Sequence, residues 1–276
     1  MNEVWEHLPP LQLLGWSAWA PGRPDRASWE TWARAPKTGG RFAPVSDDVT
    51  SDTQTHCKDF PPLLRRRCSG LTRMVVKASI AACRAAGVDP SALPTVFCSR
   101  HGEIRVLREL LEALYKREPF SPTLFSNSVH HTPTGYFDLV CGNRLPSKTL
   151  SARDANLVCG FMESLGALRT LERGGSAAAP ACLLVVADET LPEPFQNETI
   201  PPRVPYALAL VLALPCSDAK SPTLVLSRSA RPEEAPVAGQ DEVLDFLRWL
   251  VKNEGPFEMT TPFGNWQWTN TTCLPS

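Results

Sequence analysis

Any chemistry in this sequence has to come from a small set of residues between positions 125 and 173. His130 and His131 are candidates for proton transfer, and Cys141 and Cys159 are candidate nucleophiles beside them. A thiol attacks as its thiolate, which needs a base in contact or the N-terminus of a helix. There the unpaired N–H groups and the helix dipole favour negative charge. The run from 147 to 173 offers such a place: a short strand, a sharp turn and a helix rich in small residues. The side chain at that helix start is Asp154. Three roles are open to its carboxylate: capping the helix, pairing with a cation of a partner, or acting directly in catalysis. The first is the ordinary use of aspartate at this position. Adjacent histidines on a helix point about 100° apart, so His130 and His131 cannot readily hold one metal ion. They read as lining a cavity at a subunit interface or as packed and surface histidines. Gly135 and Gly142 read as packing and turn glycines, not a phosphate loop, so no metal or cofactor is expected.

The elements that must position these residues follow from periodicity. Leu11 to Trp19 is a first strand, and residues 20–62, rich in Pro, Gly, Thr and Asp, form an irregular excursion. A helix is predicted from Leu71 to Ala86, stopped by Gly87 and Asp89-Pro90. Thr95 to Ser99 is a short strand. A second helix follows, with Ile104, Leu107, Leu111 and Leu114 on one face and Arg105, Arg108, Glu109 and Glu112 on the other. Phe125 to Val140 reads as a buried helix interrupted or kinked around Pro133. Ser147 to Ala152 is a strand, and a helix runs from Asp154 to about Arg173, with Gly160 and Gly166 permitting close approach. Ala181 to Ala187 and Tyr206 to Leu214 are continuous apolar runs, as central strands covered on both faces would be. Thr223 to Ser227 is a further strand and Asp241 to Lys252 a closing helix. Strands alternating with helices make the class α/β, with helices packed on a mixed sheet.

Bulk properties narrow the function. The chain has 276 residues, 43% hydrophobic, with a net charge of −1, so nothing points to nucleic acid or an anionic membrane. The one basic cluster, Arg65, Arg66 and Arg67, reads as a solvated face. No run reaches the ~18 apolar residues of a membrane span, and the N-terminus lacks the basic start and apolar stretch of a secretory signal. Nine cysteines from Cys57 to Cys273, with no closely spaced pair, argue against disulfides or zinc and for a cytoplasmic protein. Trp249, Trp266 and Trp268 near the C-terminus read as core packing more than as an interface.

The segments Ser128-Val129-His130-His131-Thr132-Pro133-Thr134-Gly135-Tyr136-Phe137, Gly142-Asn143-Arg144-Leu145-Pro146-Ser147 and Thr149-Leu150-Ser151-Ala152-Arg153-Asp154-Ala155 resemble the β-ketoacyl synthase N-terminal domain. The resemblance spans roughly residues 10–230 and is most specific over 125–160. It implies a thiolase-like fold, the N-terminal half of a ketosynthase with the C-terminal half truncated. The chain then forms a single domain over 1–276, with a core at about 10–230 and a C-terminal helix and tail over 231–276. The lead-in Pro61-Pro62-Leu63-Leu64-Arg65-Arg66-Arg67, ending in Thr72-Arg73-Met74, is similar to that of short chain-length-factor-type subunits of aryl-polyene ketosynthases.

Under that resemblance the nucleophilic cysteine of a ketosynthase aligns with Asp154, which cannot form the thioester that carries an acyl chain. No histidine follows His131, so the family's two catalytic histidines have no counterparts. The resemblance therefore implies no catalytic residue and a degenerate nucleophile position. The implied role is that of an inactive chain length factor. It would form a heterodimer with an active β-ketoacyl synthase and shape its acyl pocket during polyketide-like or fatty-acid-like elongation on acyl carrier protein. Ketosynthases dimerise through the strand before the elbow. The expected interface and pocket residues are therefore Phe125, Ser128, His130, His131, Thr132, Gly135, Phe137, Ser147, Lys148, Thr149, Leu150 and Ser151. The alternatives are a decarboxylase acting on a carrier-bound malonyl group and a homodimeric acyl-binding scaffold.

Overall fold

A computed structural model describes residues 6–35, 60–119, 121–175, 180–195, 204–216, 221–229 and 242–271. In chain order it begins with β1 (Glu6–His7) and β2 (Leu11–Trp19), then α1 (Arg26–Arg34), α2 (Pro62–Arg67) and α3 (Gly70–Ala86). Next come β3 (Thr95–Cys98), α4 (Ile104–Lys116), α5 (Pro122–Asn127), α6 (Thr132–Cys141), β4 (Ser147–Leu150) and α7 (Asn156–Arg173). The chain continues through β5 (Ala181–Asp188), β6 (Tyr206–Ala213), β7 (Thr223–Ser229), α8 (Glu242–Lys252), β8 (Phe257–Thr261) and β9 (Gly264–Thr271).

The strands make one mixed sheet in the order β4-β3-β5-β6-β2-β7-β9-β8, with β1 also on β7. β3 runs parallel to β4 and β5; the other pairings are antiparallel. The uniformly apolar central strands are covered on both faces, as their composition required. On β5 the period of two sends Cys182, Leu184 and Val186 to one core and Leu183 and Val185 to the other. The first core also receives Phe161 of α7, Phe246 and Trp249 of α8 and Trp266 and Trp268 of β9, so the three C-terminal tryptophans are packing residues. The second is filled by Leu71, Met74 and Val75 of α3 and by Phe137 of α6.

Two glycines let helices lie close on this sheet. A Cβ on Gly15 of β2 would stand 2.6 Å from the backbone nitrogen of Ala86 in α3. One on Gly160 of α7 would stand 2.6 Å from Leu184 Cδ1. Gly166 has open space above it, contrary to its expected role in close packing. Among the described residues no helix is long and apolar enough to cross a membrane.

Several expected elements are corrected. The region read as an irregular excursion contains α1, capped by Asp25 accepting from Ser28 N–H and burying Trp29 and Ala33; positions 36–59 lie outside the described residues. Of the two readings of 125–140, the interrupted helix is the one present: α5 ends at Asn127 and α6 begins at Thr132, with Pro133 in its first turn, where its missing N–H costs nothing, so no longer helix is kinked. α4 is turned from its expected orientation. Val106 and Leu110 are buried, while Leu107, Leu111 and Leu114 are 40%, 47% and 65% exposed. The helix reaches the body over a narrow arc beside α5, which leaves its wider apolar stripe outside.

Candidate functional site

β4 ends where its ladder to β3 ends, and the chain reverses through a 3-10 turn, Arg153–Ala155, into α7. Arg153 has φ +50°, a left-handed conformation that costs a non-glycine residue about 1 kcal/mol or more. The turn is held by Asn156, whose Oδ1 accepts the Ala152 N–H at 2.7 Å. A strand–elbow–helix unit is therefore present where the sequence placed it.

Asp154 does not cap the helix. The first residues of α7 have no side-chain cap, and the Asp154 carboxylate instead accepts from the guanidinium of Arg100, just beyond β3. The two side chains are 20% and 15% exposed, so the pair is only lightly screened. The capping expectation is thus replaced by an ion pair within the chain. Its physical reason is topological: parallel β3 and β4 deliver their carboxyl ends side by side, bringing residue 100 to residue 154.

The same edge gathers further carboxyl groups that sequence reasoning missed. Asp188, the last residue of β5, accepts from Ser99 Oγ at 2.7 Å and from the Arg100 and His101 N–H groups at 2.8 and 3.2 Å. Burial pushes it up to about 6 despite those donors. Glu242, opening α8, is pushed to about 8 by burial and by Asp154, with Arg100 opposing. Glu103 takes hydrogen bonds from the Ser69 and Thr72 hydroxyls at 2.7 and 2.8 Å, yet burial raises it to about 7. Glu189 is raised to about 8 by burial and by repulsion from Glu103. A polar run, Ser99-Arg100-His101-Gly102-Glu103, directly after a β-prone segment was the available signal for this cluster.

The histidines are anchored apart. His130 Nε2 is 3.2 Å from the Ser99 carbonyl, and its ring lies against Gly102, where φ is +55° and a Cβ would come within 2.7 Å of the imidazole. His131 is bonded on its two nitrogens to Thr134 Oγ1 at 3.2 Å and Ser147 Oγ at 3.1 Å. Ser147 also donates to Asp138. The cysteines have the wrong electrostatics for nucleophiles: burial pushes Cys159 up and Cys141 to about 11. Among the described residues no group of three His, Cys, Asp or Glu is arranged to hold a metal ion.

The expected interface residues divide. Phe125, Lys148 and Ser151 are exposed, and Ser128, His130, His131, Gly135, Ser147, Thr149 and Leu150 are half-buried. Phe137 is fully buried among α3 and sheet residues and touches no surface, because its position on α6 faces the sheet. Thr132 is also buried, its hydroxyl donating to the Ser126 carbonyl. β4 is the end strand of the sheet. Leu139 of α6, Leu145 two residues before the strand and Met162 of α7 are exposed.

A mixed sheet covered by helices on both faces, with an elbow after a parallel edge strand, is the thiolase-like architecture of ketosynthases. Residues 29–269 match the β-ketoacyl synthase N-terminal domain, and the chain belongs to that family. Its structure is similar to a ketosynthase (ApeO) in complex with its chain length factor (ApeC) from Xenorhabdus doucetiae, at 24% identity and TM-score 0.72, covering 95% of this chain and 100% of that one. It is also similar to a type II polyketide ketosynthase solved with its acyl-carrier protein (AntDE:AntF), at 16% identity and TM-score 0.53, covering 75% of this chain and 63% of that one. A third likeness is to the ketosynthase of module 6 of the bacillaene synthase from Bacillus subtilis, at 15% identity and TM-score 0.54, covering 83% and 42%. No curated protein matches this chain.

Proposed function

We propose that this chain is a catalytically inactive ketosynthase-like subunit, a chain length factor that pairs with an active β-ketoacyl synthase in polyketide-type chain elongation on acyl carrier protein. The observation that carries the reading is the Arg100–Asp154 ion pair at the elbow. A ketosynthase needs a thiol there that can take and release an acyl group. Here the position holds a carboxylate, and that carboxylate is occupied by an internal cation. Likeness to a ketosynthase–chain length factor complex supports the same reading, and we extend it to an aryl-polyene-type pathway on the sequence features of residues 61–74.

In this reading the chain acts as one ketosynthase-like unit in the cytoplasm. The end strand β4 pairs antiparallel with its counterpart in the active subunit and satisfies its open backbone edge. The test is co-expression with an active β-ketoacyl synthase from the same genome, followed by sizing and an elongation assay on loaded carrier protein. The expected result is a one-to-one complex whose turnover survives Asp154→Asn here and disappears when the partner's nucleophile is removed. Loss of turnover with Asp154→Asn in an intact complex would assign chemistry to this chain, as the decarboxylase alternative requires. A stable homodimer that ignores the ketosynthase would instead favour the scaffold alternative.

A further inference from the structure

We propose that Glu103 and Glu189 share one proton between their unbonded carboxyl oxygens, and that this proton is a clasp fastening the loop that carries Arg100 to the end of β5. Neither group takes part in the proposed subunit pairing.

Both carboxyls converge on one place, the start of α3. Glu103 Oε1 accepts from the Ser69 and Thr72 hydroxyls at 2.7 and 2.8 Å, and Glu189 accepts from the Leu71 N–H. Ser69 is the N-cap of that helix, and Leu71 and Thr72 lie in its first turn. Each side chain also carries an oxygen with nothing to bond. Oε2 of Glu103 and Oε2 of Glu189 are buried without a hydrogen-bond partner, on residues that are each 2% exposed. An unpaired carboxylate oxygen in a dry site is costly, and two carboxylates at one site cannot both ionise freely. A single O–H···O bridge satisfies both oxygens at once.

The surrounding charges suit one negative charge at this place, not two. The N-terminus of α3 favours an anion. Arg105 of α4 draws Glu189 down, but its guanidinium donates to Thr190 Oγ1 at 2.6 Å. Asp188 of β5 repels Glu189. Arg73 of α3 is turned to the Arg65 carbonyl at 2.7 Å, and burial keeps Tyr136 of α6, which also feels Glu103, an uncharged phenol.

The position of the pair in the chain gives the proton its consequence. Glu103 closes the loop 99–103, whose Arg100 holds Asp154. Glu189 follows Asp188, which takes the Ser99 hydroxyl and the Arg100 and His101 N–H groups. Loss of the shared proton to solvent leaves two like charges together in a dry site. Their repulsion pushes the loop away from β5 where the guanidinium of the elbow is anchored.

Urea unfolding of the full chain between pH 6 and 9 tests this with Glu103→Gln, Glu189→Gln and the double variant. One proton held only by the folded state makes the unfolding constant rise about tenfold per pH unit. Each single glutamine supplies an amide N–H in place of the proton. Each should therefore remove that same factor from the pH dependence, and the double variant should remove no more. Effects that multiply, to about a hundredfold per unit, would show independent titration and overturn the proposal. Slopes unchanged in both single variants would overturn it too. A wild-type slope abolished by sodium, potassium, magnesium or calcium chloride at constant ionic strength would assign the oxygens to a metal ion instead. Where the variants do not fold, infrared spectroscopy with isotope-labelled glutamate in a Glu242→Gln background reads the same proton. At pH 7, where free glutamate is ionised, one protonated glutamate carboxyl per molecule should show its carbonyl stretch. Absence of that band would overturn the proposal.

Discussion

At Asp154 the side chain that marks the elbow is held by Arg100, and the electrostatics of that contact make it reactive to substitution in a definite way. Arg100 also faces Asp188 and Glu242. Arg100→Met removes the cation from three carboxyl groups at once. Breaking a buried pair by removing one partner costs ~3–5 kcal/mol, and the residual exposure of this one puts it at the low end. Urea unfolding at pH 8 should therefore show a loss of about 3 kcal/mol, smaller at pH 5, where Asp188 and Glu242 hold their protons. A variant whose loss is the same at both pH values would contradict the assignment. The guanidinium should also activate a thiol placed there. In Asp154→Cys the introduced thiol should be alkylated by iodoacetamide at pH 7 well before exposed Cys216, because a neighbouring cation and a helix start both favour thiolate. Mass spectrometry of the modified peptides checks the order.

The carboxyl ends of β3, β4 and β5 collect Glu103, Asp154, Asp188 and Glu189, with Glu242 brought in by α8. Glu103, Asp188, Glu189 and Glu242 lie above their ordinary values, at about 7, 6, 8 and 8. Raised carboxyl pKa values mean that the folded state binds protons more tightly than the unfolded chain. Their contribution to stability is full below about pH 4 and is lost as pH rises through 6 to 8, levelling off above. Glu189→Gln should flatten that fall and leave the protein more stable than wild type at pH 9; a steeper fall would show that the carboxylate is compensated. Packing at the element scale is equally specific. Gly15→Ala sets a methyl against the α3 backbone, which cannot rotate away as a side chain could, and should lower stability by about 1–3 kcal/mol in thermal unfolding.

Across the whole molecule, how much the sequence disclosed depended on the range of the interaction. The central strands and α3, α7 and α8 were readable because apolar runs and helical spacing are local. The stripe on α4 had the right periodicity but the wrong direction. Which arc of an amphipathic helix turns inward is decided by what stands beside it, and two candidate faces, Val106/Leu110 and Leu107/Leu111/Leu114, were both apolar. The β8–β9 hairpin was not anticipated, because its strand character is visible mainly in Trp266 and Trp268, and the contacts of Trp268 with Phe161 and Phe246 are long-range. At the site, Asp154 was found by resemblance, whereas Arg100 lies 54 positions away and meets it only through parallel pairing of β3 and β4. Non-local charge pairing leaves no periodic trace.

The open edge of β4 bears on how much of this protein a cell can hold. An unpaired strand edge invites pairing with other chains, and Lys148, exposed in its middle, is the one charge set against that. If the proposed pairing holds, a copy made in excess of a ketosynthase partner would keep that edge in water, exposed to aggregation and proteolysis. Its steady-state level should then follow the supply of its partner, so that pulse-chase labelling finds the surplus short-lived. On that reading, turnover of the unmatched subunit would hold the two chains in proportion.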